Sequence, residues 1–204
     1  TSMQQIAELC GVTKGALYHH FDSKDAILEA MCARHYVGQD GYFDAIMEDT
    51  ASSAVDRLAA FVVAQRAYEG ANPVFCKPYL RMHASKDPAH LMLKGRLKQH
   101  RKRMYLNFIG PLLEAGRKEG AYDFPMPAAT MAVYFLQIED AITEVMAAII
   151  IDESEGPEAK DKALHEQMEY MAFAFSRLAG TDINTFRKIL VYQRGIDHYN
   201  RTLG

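Results

Sequence analysis

Glycine and proline punctuate this 204-residue chain at the joints between apolar runs of helical spacing, and nothing in it alternates like a strand. Hairpin turn pairs are missing too, so an all-α chain is predicted. The spacing predicts helices near 23–47, 53–70, 74–85, 88–119, 127–152, 158–179 and 183–200. The joints are Thr50–Ser53, Gly70–Pro73, Lys86–Pro88, Gly120–Pro127, Glu153–Pro157 and Gly180–Asp182. Asn72-Pro73 and Asp87-Pro88 each put an Asx cap before a proline at the first helical position. Gly110-Pro111 interrupts the long pattern of 88–119, which should kink it and free backbone carbonyls.

The segment Ser2 to Asp25 reads as two short helices joined by a glycine turn and running into a third helix. Ile6, Ala7 and Leu9 supply the apolar side of the first. Cys10-Gly11-Val12 make the turn, where glycine takes a positive φ cheaply. Thr13 is placed to N-cap the second helix, in which Ala16, Leu17 and Phe21 recur at helical spacing. Ser23 caps the third, with Asp25 in the first turn, where the helix dipole favours an anion. This is the unit that lays its second helix into the DNA major groove. Thr13, Lys14, Gly15 and Ala16 open that helix, so their side chains and N–H groups can approach base edges and phosphates. Lys14 is the leading donor, Gly15 allows close backbone approach, His19 is poised likewise, and Lys24 can clamp the backbone. Ser2 and Gln4 can reach the flanking phosphate. His20 and Phe21 read as packing residues.

Ile6-Ala7, Gly11-Val12, Gly15, Leu17-Tyr18, His20-Phe21, Lys24, Ile27 and Leu28 match the pattern IA..GV..G.LY.HF.SK..L. The segment therefore resembles the DNA-binding domain of the TetR (tetracycline-repressor-like) family of bacterial regulators. The resemblance covers the first ~35 residues, and beyond them only length and helical layout agree. It implies that Tyr18 donates to a phosphate. It also implies a further helix of roughly 20 residues ahead of Thr1, which would make the segment from Thr1 onward an incomplete DNA binder. Residues 1–35 hold three basic side chains (Lys14, Lys24, Arg34) and four acidic ones (Glu8, Asp22, Asp25, Glu29). Because phosphate contacts dominate affinity, binding must rest on a few placed donors plus dimerisation.

At 49% hydrophobic the chain has core enough for a small domain, residues 1–45, and a larger one, residues 46–204, which the resemblance makes the reading domain and the effector-binding and dimerisation bundle. A net charge of −3 argues against a polybasic nucleic-acid binder but not against a dimeric operator reader. Cys10, Cys32 and Cys76, odd in number and without a C-x-x-C, imply free thiols in a reducing cytoplasm. No signal peptide and no apolar run of ~18 residues is evident, so no membrane partner is expected.

Pro127–Asp152 is apolar on nearly all sides. Met131, Tyr134, Phe135, Ile138, Ile142, Val145 and Ile149 form one stripe. Ala128, Ala132, Thr143, Ala147 and Ile150 form a second surface of smaller residues. Glu166–Leu178 offers a matching face of Met168, Met171, Ala172, Phe175 and Leu178. The resemblance implies a homodimer through a four-helix bundle of two such late helices from each subunit. The expected interface is Ala132, Thr143, Ala147, Ile150, Met168, Met171, Ala172 and Phe175, and a two-fold dimer suits a pseudo-palindromic, double-stranded operator. For an effector, the candidates are aromatic or Met side chains mixed with polar groups on the middle helices. They are Tyr68, Phe75, Tyr79, Met82, His83, Met104, Tyr105, Phe108, Tyr134, Gln137 and Ile138. They predict a small, largely apolar organic ligand, aromatic or acyl, in a cavity above roughly 300 Å³.

Lys94, Arg96, Lys98, His100, Arg101, Lys102 and Arg103 make a basic run best read as a solvated helix face. His83, His90, His100, Glu139 and Asp140 lack the short spacing of a metal site, so no metal or other cofactor is expected. Cys10 and Cys32 read as small hydrophobes on apolar faces rather than redox switches. No G-x-S-x-G, phosphate loop, dinucleotide fingerprint or paired nucleophile and base supports an enzyme. The expected function is a ligand-responsive transcriptional regulator, a repressor released from DNA by its effector. The alternatives are an adaptor that binds DNA and a protein partner without effector, and an enzyme on a borrowed fold.

Overall fold

The computed structural model describes residues 2–37, 43–70 and 73–190, the side chains of 32, 35–37, 66–70, 73–77 and 89 excepted. Every regular element within them is helical. The helices are α1 (Met3–Leu9), α2 (Lys14–His20), α3 (Lys24–Val37), α4 (Asp44–Glu48), α5 (Ala54–Gly70), α6 (Pro73–Ala84), α7 (Pro88–Met104), α8 (Gly110–Lys118), α9 (Ala128–Ile151), α10 (Pro157–Ala179) and α11 (Ile183–Leu190).

The helix expected over 23–47 is described as two elements, α3 as far as Val37 and α4 from Asp44. The kink expected at Gly110-Pro111 takes the form of a π-turn over Tyr105–Ile109, where the Gly110 N–H bonds to the Tyr105 carbonyl. Proline at 111 has no N–H to continue an α ladder, so the chain widens one turn earlier and restarts as α8. Pro78 inside α6 likewise withholds a hydrogen bond from the carbonyl four residues before it. The helix expected over 183–200 is described as far as Leu190.

α1, α2 and the start of α3 share a small core of Met3, Ala7 and Leu17, with Ile6, Phe21 and Ile27 packed against it. Leu9 does not contribute, being 84% exposed, and Met3 takes the place expected of it. His20 is exposed, its ring edge-on to His19, while Phe21 packs as expected.

The larger core is built around α9, which packs on α6, α8 and α10 and on the π-turn. Phe135 stacks on Phe175 of α10 at 4.2 Å between ring centroids, and Phe186 of α11 meets both rings edge-on. Ala132 lets α8 come close, its methyl lying near the Gly110 backbone. A second cluster joins α3 to the bundle, with Leu28 packed against Met82 of α6 and Leu93 and Leu97 of α7. An ion pair of 2.7 Å between Glu29 and Arg96 reinforces that joint.

Candidate nucleic-acid interface and ligand cavity

Capping fixes the helix-turn-helix. The Ser2 hydroxyl accepts the Gln5 N–H at 3.2 Å, and the Gln5 side chain accepts the Ser2 N–H at 2.7 Å, a closed capping box. Gly11 makes the turn at a φ of 66°, where a side chain would be strained. Thr13 Oγ1 accepts the Ala16 N–H and Ser23 Oγ the Ala26 N–H, both at 3.1 Å. Each capping hydroxyl accepts with oxygen and so keeps its proton to donate outward.

Leu17 turns inward and α2 presents its remaining surface to solvent. Lys14, Gly15, Ala16, Tyr18 and His19 are all exposed, as are Ser2, Gln4, Thr13 and Lys24. Lys14 Nζ stands 5.7 Å from the Tyr18 ring centre, so cation and phenol share one face a turn apart. Gln4 is engaged by Glu8, to which its amide donates at 2.7 Å. Cys10, the C-cap of α1, is exposed, against the expectation that it sits on an apolar face.

In the larger bundle α5, α6, α7, α9, α10 and α11 enclose an apolar cavity of about 190 Å³. That is smaller than the cavity expected. Of the expected lining, Tyr79 and Tyr105 are present. His83 and Gln137 instead join Tyr79 around an adjoining polar cleft of about 300 Å³ between α6, α7 and α9. Met82, Met104 and Phe108 are buried in packed core, and Ile138 packs against that core. Tyr134 points outward, 47% exposed. The side chains of Tyr68 and Phe75 lie outside the described residues.

The residues expected at a dimer interface face the chain's own interior. Ala132, Ala147, Ile150, Met168, Met171, Ala172 and Phe175 are all buried within the chain. Thr143, Ile150, Met168, Met171 and Phe175 line the cavity. Small residues on α9 serve close packing of this chain's own helices, Gly110 against Ala132 and Leu80 and Leu164 against Ala147. The outward large apolar side chains of the two helices are Tyr134, Val145 and Ile151 on α9 and Tyr170 and Phe173 on α10.

Sequence reasoning missed Arg101. The basic run splits across α7, with Arg96, Lys102 and Arg103 exposed and Arg101 buried to 4% exposure. Its guanidinium donates to Glu139 at 2.7 Å and to Asp140, and Lys98 pairs with Asp140 at 2.9 Å. The i, i+4, i+7 spacing of Lys94, Lys98 and Arg101 is the signal that could have put the three on one face.

Beside them His83 is buried, its ring 4.3 Å from that of Tyr79. Burial, and then the charges of Arg101 and Lys94, hold its pKa down at about 4 from 6.5, with Asp140 opposing. The unfolded chain therefore takes up this proton first as pH falls. Stability from this group is complete above pH 6.5 and drains away toward pH 4. We expect that loss to reach about 3 kcal/mol, read as a fall in urea midpoint across this window that His83→Gln flattens. An equally steep acid limb in His83→Gln would assign the loss to other groups.

Among the described residues no helix is long and apolar enough to cross a membrane. The family model for bacterial regulatory proteins of the tetR family matches residues 1–31. A stretch of 38 residues is 50% identical to an uncharacterized HTH-type transcriptional regulator, YerO, of Bacillus subtilis (strain 168). That match covers 19% of this chain and 13% of the relative, so the likeness is confined to a short stretch of each. No solved structure matches the chain. The capped helix-turn-helix at the start of the chain is therefore similar, over residues 1–31, to the N-terminal segment of bacterial regulatory proteins of the tetR family, and the described residues behind it are all-helical.

Proposed function

We propose that this protein is a DNA-binding transcriptional regulator that responds to a small organic effector. The observation that carries the reading is α2. Its Leu17 is buried while Lys14, Tyr18 and His19 stand exposed beside the exposed caps Ser2 and Thr13. Residues 1–45 form the reading part, and residues 46–204 hold effector and partner. Lys14 approaches a base edge or phosphate, Tyr18 and the Ser2 and Thr13 hydroxyls donate to phosphates, and Lys24 clamps the strand further along.

The protein acts as a two-fold dimer. Tyr134 and Val145 on α9 and Tyr170 and Phe173 on α10 are large apolar groups exposed on a single chain, which supports a partner helix pair there. An effector in the cavity touches α6 and α7 through Tyr79 and Arg101. The same two helices carry Met82, Leu93, Leu97 and Arg96, which grip α3 at Leu28 and Glu29. Shifting α6 against α7 therefore moves the helix that follows the reading head, and repression is relieved when the two heads lose the operator spacing. The effector must favour the displaced state by its own differential affinity.

The test is titration of the full-length protein onto the DNA upstream of its own gene at two salt concentrations. Lys14→Ala should weaken binding by about 1–3 kcal/mol, or lower the salt slope by about one if it touches only phosphate. Tyr18→Phe should cost less, since it removes one donor. Unchanged affinity in Lys14→Ala would remove α2 from the interface.

A further inference from the structure

The apolar cavity and the polar cleft share Tyr79 and Arg101 as a common wall. Three cations, Lys94, Lys98 and Arg101, and two carboxylates, Asp140 and Glu144, line the cleft. These charges are unevenly matched. Lys94 Nζ donates to the carbonyls of His83 at 2.6 Å and Ser85 at 3.2 Å. Its paired carboxylate, Glu144, stands 4.0 Å away with a side chain 54% exposed. Asp140 serves both Arg101 and Lys98. Glu139, the other partner of Arg101, lies on the apolar side of the wall. The Gln137 amide accepts from Lys98 at 2.7 Å through oxygen, which leaves its NH₂ group to donate into the cleft.

Burial is the main cause of the depressed pKa of His83 beside the cleft, with the charges of Arg101 and Lys94 adding to it and Asp140 opposing. The cavity itself is small, about 190 Å³. An apolar void of roughly 150 Å³ takes a benzene ring, so this one fits a single substituted ring or a short branched chain.

Resting on the effector-binding reading above, we propose that the ligand is an amphiphilic acid. Its compact apolar body fills the cavity, and its anionic head, carboxylate or phosphate, passes between Tyr79 and Arg101 into the cleft. There Lys98 and Lys94 hold the charge and the Gln137 amide donates a hydrogen bond. Lys98 is the adjustable member, being 36% exposed and able to turn from Asp140 to the ligand.

The test is calorimetric titration of the full-length protein with 4-phenylbutyrate, its primary amide, and a phosphate monoester carrying the same phenylalkyl body. Lys98→Gln and Lys102→Gln are compared, the second removing the same charge from the exposed side of α7. The acid or the phosphate should bind at least tenfold tighter than the amide, and whichever is tighter identifies the head group. Lys98→Gln should erase that preference, and Lys102→Gln should leave it intact. An amide that binds as well as both anions, equal loss in the two variants, or no binding by any probe would overturn the proposal. Ligand-free binding to operator DNA, measured on the same samples, reports separately on the regulator reading. Loss of that binding with the acid still held would sink the regulator and leave the acid site standing.

Discussion

Arg101→Met will destabilise the protein by roughly 3 kcal/mol, the cost of stranding the partners of a buried guanidinium. Arg101 is 4% exposed, and its two carboxylates come from adjacent positions of α9. Methionine replaces the stem but not the guanidinium, so the loss combines the missing charge with the space the head group filled. Lys98 keeps Asp140 partly compensated, while Glu139 loses a pair of 2.7 Å. Glu139→Gln in the Arg101→Met background should therefore recover part of the loss, since a neutral amide is cheaper to leave there than an anion. The measurement is the urea midpoint of the two variants and the parent at one protein concentration. A fall below about 1 kcal/mol, the range of an exposed pair, would mean that water reaches the guanidinium.

The wall between cavity and cleft marks the limit of what the sequence could reveal. The reading head was legible because its signals are local. Ser2, Thr13 and Ser23 cap the helices that follow them, and Gly11 takes the positive φ its turn needs. The Gly110-Pro111 break was legible for the same reason, since a missing N–H acts on its own turn. The inward face of α9 was not. That helix is apolar around most of its circumference, so periodicity cannot choose between two surfaces. Which surface is buried depends on where α6, α8 and α10 lie, and small residues mark the place where those helices approach. Reading Ala132 and Ala147 as contacts to a second subunit attributed to a partner what Gly110 and Leu80 do within the chain. The cavity is further from reach, because Leu58, Arg101, Met168 and Ile189 converge from four helices. In the basic run, burial of Arg101 follows from two carboxylates 38 and 39 residues away on a helix that crosses it.

Gly180→Ala will cost roughly 3–5 kcal/mol, the largest single-methyl effect expected in this fold. Gly180 ends α10 in the left-handed region at a φ of 63°, its N–H on the Ser176 carbonyl, and Thr181 N–H reaches the same oxygen. A side chain at this φ is strained by about 1 kcal/mol on backbone grounds alone. Here a methyl would also lie 1.9 Å from the Asp123 carbonyl oxygen and 2.8 Å from its carbon. Those are backbone atoms held in place, since Asp123 N–H donates to the Ala179 carbonyl at 2.8 Å. Tyr122 and Phe124 on either side are buried, so the loop cannot retreat without opening the core beneath it. Gly120→Ala supplies the comparison, with a φ of 76° and no atom within 4 Å of the added carbon. It should lose only the conformational part, about 1 kcal/mol. The difference between the two urea midpoints isolates the contact with Asp123. Equal losses would mean that the loop over the end of α10 yields, and that the cavity face of Met168, Met171 and Phe175 is not braced from that end.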